Sequence, residues 1–151
     1  MNTIALRQRQ SGVTLLESLL AILIFSVGIL ALVALQSISV KATTESKFRA
    51  DAGFLASQLI AEMWTDLPGT TTGQYSINGG AAVGDCQFGG GAASVKTNRW
   101  LTTVKASLPG SRDDTIQVIT GPNNLITINI CWQPPGADAP RRYSAVTQIN
   151  M

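Results

Sequence analysis

From Ser18 to Leu35 the chain reads SLLAILIFSVGILALVAL, eighteen residues without a charge. With its weakly polar flanks this run reaches the roughly 20 residues that a helix needs to cross a bilayer. Of the 151 residues, 13–40 are therefore apolar enough to be something other than the core of a folded domain, and the water-soluble remainder is small. Arg7 and Arg9 precede the run with no acidic residue beside them. That bias keeps an N-terminus cytoplasmic and sends the rest of the chain outward.

Composition narrows the chemistry. There is no histidine, which removes the commonest general base and the commonest metal ligand, so hydrolase triads and zinc sites lose their usual parts. No nucleophile has a recognisable base partner, and neither an enzyme, a cofactor nor a metal site is expected. The net charge of +2 is too small to imply a nucleic-acid partner. Three fates then compete for the apolar run. A conventional signal peptide would exit at Val40-Lys41-Ala42, leaving a secreted binding module that begins at Thr43, although the run is longer than such signals carry. An uncleaved anchor is the second. The third turns on Gly12 and Glu17, in SGVTLLESLLAILIF (residues 11–25).

A short basic leader ending in Gly12, then Val13-Thr14-Leu15-Leu16-Glu17 and an apolar run, resembles the processing site of type IV prepilins and type II secretion pseudopilins. The resemblance covers residues 12–35 and fades beyond them. It implies that prepilin peptidase cuts between Gly12 and Val13, that the new amine of Val13 is methylated, and that Glu17 becomes the fifth mature residue. It also implies that Glu17 pairs with the N-terminal amine of a neighbouring subunit during docking into a filament. Two physical readings of Glu17 stand beside this one. Thr14-x-x-Glu17 fits a capping box, and a carboxylate in a first helical turn complements the helix dipole. Capping does not explain a charge inside an apolar run, where insertion costs about 2.5 to 3.5 kcal/mol at the helix centre. A freed amine at Val13 lies at i−4 from Glu17 and would supply the missing cation.

Beyond the apolar run, Phe48, Ala52, Leu55, Leu59 and Met63 recur every three or four residues, one apolar stripe on a polar helix. The spacing predicts one helix from Val13 to about Asp66, stopped by Pro68-Gly69, with its stripe against the protein's own sheet. Gly28 and Gly53 mark places for a bend or a close contact. Residues 99–107 alternate as a strand does, 115–120 are rich in branched side chains, and 125–133 alternate Ile126, Ile128, Ile130 and Trp132 against Thr127 and Asn129. Gly121-Pro122-Asn123-Asn124 and Pro134-Pro135-Gly136 are turn chemistry, the second leading to a last strand over 143–149. The expected fold class is α+β: a long N-terminal helix, half membrane-spanning and half amphipathic, on a small antiparallel sheet of three or four strands. The parts are a leader at 1–12, an apolar half-helix at 13–40, an amphipathic half at 41–66 and an outer β domain at 67–151.

Cys86 and Cys131 are the only cysteines, and both fall on the outer, oxidising side. A disulfide between them is expected, with two free thiols as the rival. Residues 79–94 are glycine-rich but lack the Gly-Lys-Ser/Thr of a phosphate loop, and read as a flexible surface loop. Asp113 and Asp114, on a strand, would face opposite sides. Arg141-Arg142 reads as a solvated turn rather than a DNA clamp.

Residues 28–36 and the pattern Leu55-Ala56-x-x-Leu59-x-x-Glu62-Met63 look like the minor pilins known as type IV pilus modification proteins. The resemblance implies a single-pass inner-membrane protein that moves to the pilus and cell surface. It implies as partners prepilin peptidase, other minor pilins, the major pilin and a tip adhesin, in a complex that primes assembly and supports twitching motility and adhesion. A minor pseudopilin of a type II secretion system is the nearest rival.

Overall fold

The computed structural model describes residues 13–66, 72–80, 86–89 and 93–149. The fold is α+β. Helix α1 (Val13–Asp66) is followed by α2 (Val95–Ser107) and by strands β1 (Ile116–Thr120), β2 (Leu125–Trp132) and β3 (Arg141–Gln148), with 3-10 turns at Thr72–Tyr75, Asp113–Thr115 and Pro122–Asn124. The chain divides into two compact units, Met1–Thr43 and Thr44–Met151. The leader and the Pro68-Gly69 stop lie outside the described residues.

In the first unit, residues 13–43 are helical and every side chain is exposed. Hydroxyl groups in this apolar stretch bond back to the helix: Ser18 Oγ donates to the Thr14 carbonyl at 2.9 Å and Ser26 Oγ to that of Ile22 at 2.7 Å. Such back-bonding lets a hydroxyl sit among hydrocarbon without an unmet donor. The helix already includes Val13, so Thr14 is a helical residue and not an N-cap, and the capping-box reading of Thr14 and Glu17 is not what forms.

In the second unit the stripe is buried as the spacing predicts. Ala52, Leu55, Ala56, Leu59 and Met63 are each 3% exposed or less, with Phe48 and Ile60 partly covered. They share one core with Ile116, Val118, Ile126, Ile128, Ile130 and Trp132. The sheet order is β1-β2-β3, antiparallel throughout, with Ile128 opposite Val118 on one side and Ala145 on the other. Gly53 is a point of close approach: a β-carbon there would meet the Tyr143 hydroxyl at 3.4 Å.

Three sequence expectations are corrected. Residues 99–107 form the end of α2, not a strand. Ser94 caps this helix by accepting the Thr97 N–H, and helical spacing gathers Thr97, Trp100, Leu101 and Val104 on one buried face, where a strand would have set Trp100 and Leu101 on opposite sides. Asp113 and Asp114 lie in a 3-10 turn rather than a strand, paired to Lys105 at 2.7 Å and Arg112 at 3.1 Å. Arg141-Arg142 opens β3 instead of forming a turn, and Arg141 reaches Glu45 of α1 at 2.9 Å.

Candidate processing and assembly site

The residues singled out for processing fall at the start of α1. Gly12 lies outside the described residues. Val13 and Glu17 are separated by one helical turn, which puts both on one face. Both are exposed, and among the described residues Glu17 has no cation partner. The segment that follows is the one helix among the described residues long and apolar enough to cross a membrane.

The outer unit carries a different set of polar groups. Cys86 and Cys131 form a disulfide with Cα atoms 5.8 Å apart, which fastens residues 86–89 to β2. Phe88, 1% exposed, is held there as well by its N–H on the Asp114 carbonyl at 2.7 Å. The described part of the glycine-rich stretch is thus anchored, not a free surface loop. Burial of Phe88 and the covalent bond outweigh the flexibility that glycine confers. Its remaining residues, 81–85 and 90–92, lie outside the described set.

Two clusters escaped the sequence reading. At the end of α1, the Asp66 carboxylate accepts from Lys96 Nζ at 2.6 Å and from the Tyr75 hydroxyl. The Lys96 bond, then the Tyr75 bond, hold the Asp66 carboxyl below its ordinary value, while burial, reinforced by Asp66, pushes the Tyr75 phenol up. Across the sheet, Ser144 Oγ donates to Asn129 Oδ1 at 2.6 Å, Asn129 Nδ2 to Gln117 Oε1 at 2.9 Å and Gln117 Nε2 to the Asn78 carbonyl at 3.0 Å. Their spacing looks like an ordinary solvent face. Only the alternation of polar residues in both strands could have hinted at a ladder.

Among the described residues, no three of His, Cys, Asp and Glu cluster as metal ligands do.

Residues 7–33 match the family model described as the prokaryotic N-terminal methylation motif. No curated protein and no solved structure matches the chain. The matched span takes in Arg7, Arg9, Gly12, Val13, Glu17 and most of the apolar run, so the chain carries the prepilin-type N-terminus, processed by prepilin peptidase, that type IV pilins and pseudopilins share.

Proposed function

We propose that this protein is a minor pilin of the PilV kind, cut by prepilin peptidase between Gly12 and Val13 and methylated at Val13. It joins other minor pilins in a complex that primes type IV pilus assembly at the filament tip. Residues 13–40 hold the subunit in the inner membrane, N-terminus cytoplasmic, and later enter the filament core. Residues 41–66 carry the outer domain, 67–151, which selects neighbours or a tip adhesin. Its work is mechanical, not enzymatic. The observation that carries this reading is the methylation motif over residues 7–33, set on a helix whose residues 13–43 are exposed throughout. An unburied helix with apolar side chains on every side needs either lipid or other helices around it.

Glu17 is the docking residue. A carboxylate four residues from the new amine, in hydrocarbon, gives each incoming subunit a polarity and a register. Glu17→Ala should leave membrane insertion intact and remove the protein from purified pili, read by immunoblot of sheared filaments; wild-type abundance there would refute the assignment.

The first test is the mature N-terminus, by intact and peptide mass spectrometry of protein from the native host. A chain starting at Val13 with one added methyl supports the reading, and a chain starting at Thr43 overturns it. Deletion should abolish surface piliation. Normal pili with blocked exoprotein release would assign the protein to a type II secretion system instead.

A further inference from the structure

The sheet has two edges, and the chain treats them differently. Along β1, Ile77 and Val118 exchange backbone hydrogen bonds at 3.0 and 2.8 Å. Asn78 Nδ2 donates to the Ile116 carbonyl at 2.8 Å and Ser76 Oγ to the Val118 carbonyl at 3.3 Å. This edge is closed by its own chain. Among the described residues the β3 edge has no such cover. β3 pairs with β2 in an unbroken register from Arg141 to Gln148, without a bulge. The Ile149 N–H on the Asn124 carbonyl sets the alternation, so Tyr143, Ala145 and Thr147 turn their backbone toward β2. Arg142, Ser144, Val146 and Gln148 turn theirs away. Among the described residues those outward N–H and C=O groups have no partner.

An open edge is a template for another strand, and soluble proteins blunt it with proline, bulges or inward charges. Past Arg142, β3 carries none of these, and Val146 is 64% exposed. Charge then selects the occupant. Arg141 is taken by Glu45, whereas Arg142 has no acidic partner among the described residues. β3 itself contains no Asp or Glu, so pairing with β3 of a second copy would set no carboxylate against Arg142. We infer that the β3 edge receives an added strand from a different protein: an extended segment with a carboxylate side chain at Arg142 and an apolar one at Val146. This inference stands independently of the processing assigned to the N-terminus.

The test uses the full-length chain in its native host, with a photoreactive phenylalanine analogue replacing Gln148 and the cross-linked peptides sequenced by mass spectrometry. The expected product joins position 148 to one segment of another protein that carries Asp or Glu. Its yield should fall about tenfold with Arg142→Glu, a surface change, and with Val146→Pro, which removes an outward donor but no bond to β2. Reversing the partner's carboxylate to lysine should restore the yield to Arg142→Glu. An intact disulfide and unchanged melting temperature establish that each variant is folded, and should Val146→Pro fail that check, Arg142→Glu decides alone. Cross-links only to further copies of this chain, no cross-link, or a yield indifferent to Arg142→Glu would each overturn the inference.

Discussion

The two stretches of α1, residues 13–43 and 44–66, are equally helical and differently buried. In the first, leucine, isoleucine and valine occupy every side of the helix and all are exposed. In the second, Ala52, Leu55, Ala56, Leu59 and Met63 form one buried stripe, while Phe54 and Trp64 lie off it and stay exposed. Helical hydrogen bonding is common to both, so it cannot be what distinguishes them. The difference lies in what each must meet: a helix apolar all round suits a surrounding without water, and a striped helix suits a core on one side and water on the other. A substitution that matters in one stretch should therefore be silent in the other.

The largest effect that would break this comparison comes from a matched pair of leucines. Leu59 is fully buried, and Leu59→Ala should destabilise the outer unit by about 2 to 5 kcal/mol through lost burial and the cavity left behind. Leu23, 61% exposed, should give no change when made alanine. Denaturant unfolding of the full chain in detergent, followed by near-ultraviolet circular dichroism of the tryptophans, reads both. Equal losses would mean that residues 13–43 contribute to the outer core.

The disulfide sharpens the comparison further. It closes a separation of 45 residues, entirely within the second unit. Cys86→Ser with Cys131→Ser should cost about 2 to 4 kcal/mol by freeing the unfolded chain. The same change should leave the helicity of residues 13–43 untouched, measurable as the far-ultraviolet signal that persists after the outer unit melts.

Next in size is the amide ladder. Asn129 is 1% exposed, between Gln117 and Ser144. Asn129→Ala takes one hydrogen bond from each neighbour and should cost about 1 to 3 kcal/mol. Asn129→Ala combined with Gln117→Ala should then cost less than the sum of the separate losses, because the two share one bond. Strict additivity would show that the ladder is not a unit.

What could be read from the sequence follows from how local each cause is. The apolar run, the stripe from Ala52 to Met63 and the alternation in β2 are periodicities carried by neighbouring residues, and all three are present in the fold. The alternation of Trp100, Thr102 and Val104 against Leu101, Thr103 and Lys105 imitates a strand within α2. Its helix is secured by the Ser94 cap and by Trp100 Nε1 donating 2.8 Å to the Leu55 carbonyl, a contact 45 residues away. The Asp66, Lys96 and Tyr75 cluster is likewise assembled from three separate elements, and no spacing announces it. Residues 13–17 were the most legible part of the candidate site, since their spacing alone brings Val13 and Glu17 to one face.

The smallest expected effect concerns the two carboxylates of α1, Glu17 near one end and Asp66 at the other. Asp66 is answered within the fold by Lys96 and Tyr75, and those bonds hold its pKa below the ordinary 3.8. In the unfolded chain the group returns to that ordinary value, so between the two values the unfolded state binds more protons. The contribution is therefore complete above about pH 4 and is lost as acid carries the pH down through the folded value. Asp66→Asn should lower the melting temperature slightly at pH 7, and the curves of variant and parent should converge on acidification. Because the pair is exposed, salt should shrink the difference at pH 7. Glu17 has no such answer among the described residues, so Glu17→Gln should leave the melting curve of the outer unit unchanged at every pH. A pH-dependent shift from Glu17→Gln would show that this carboxylate also serves the fold, and would remove the contrast between the two ends of the helix.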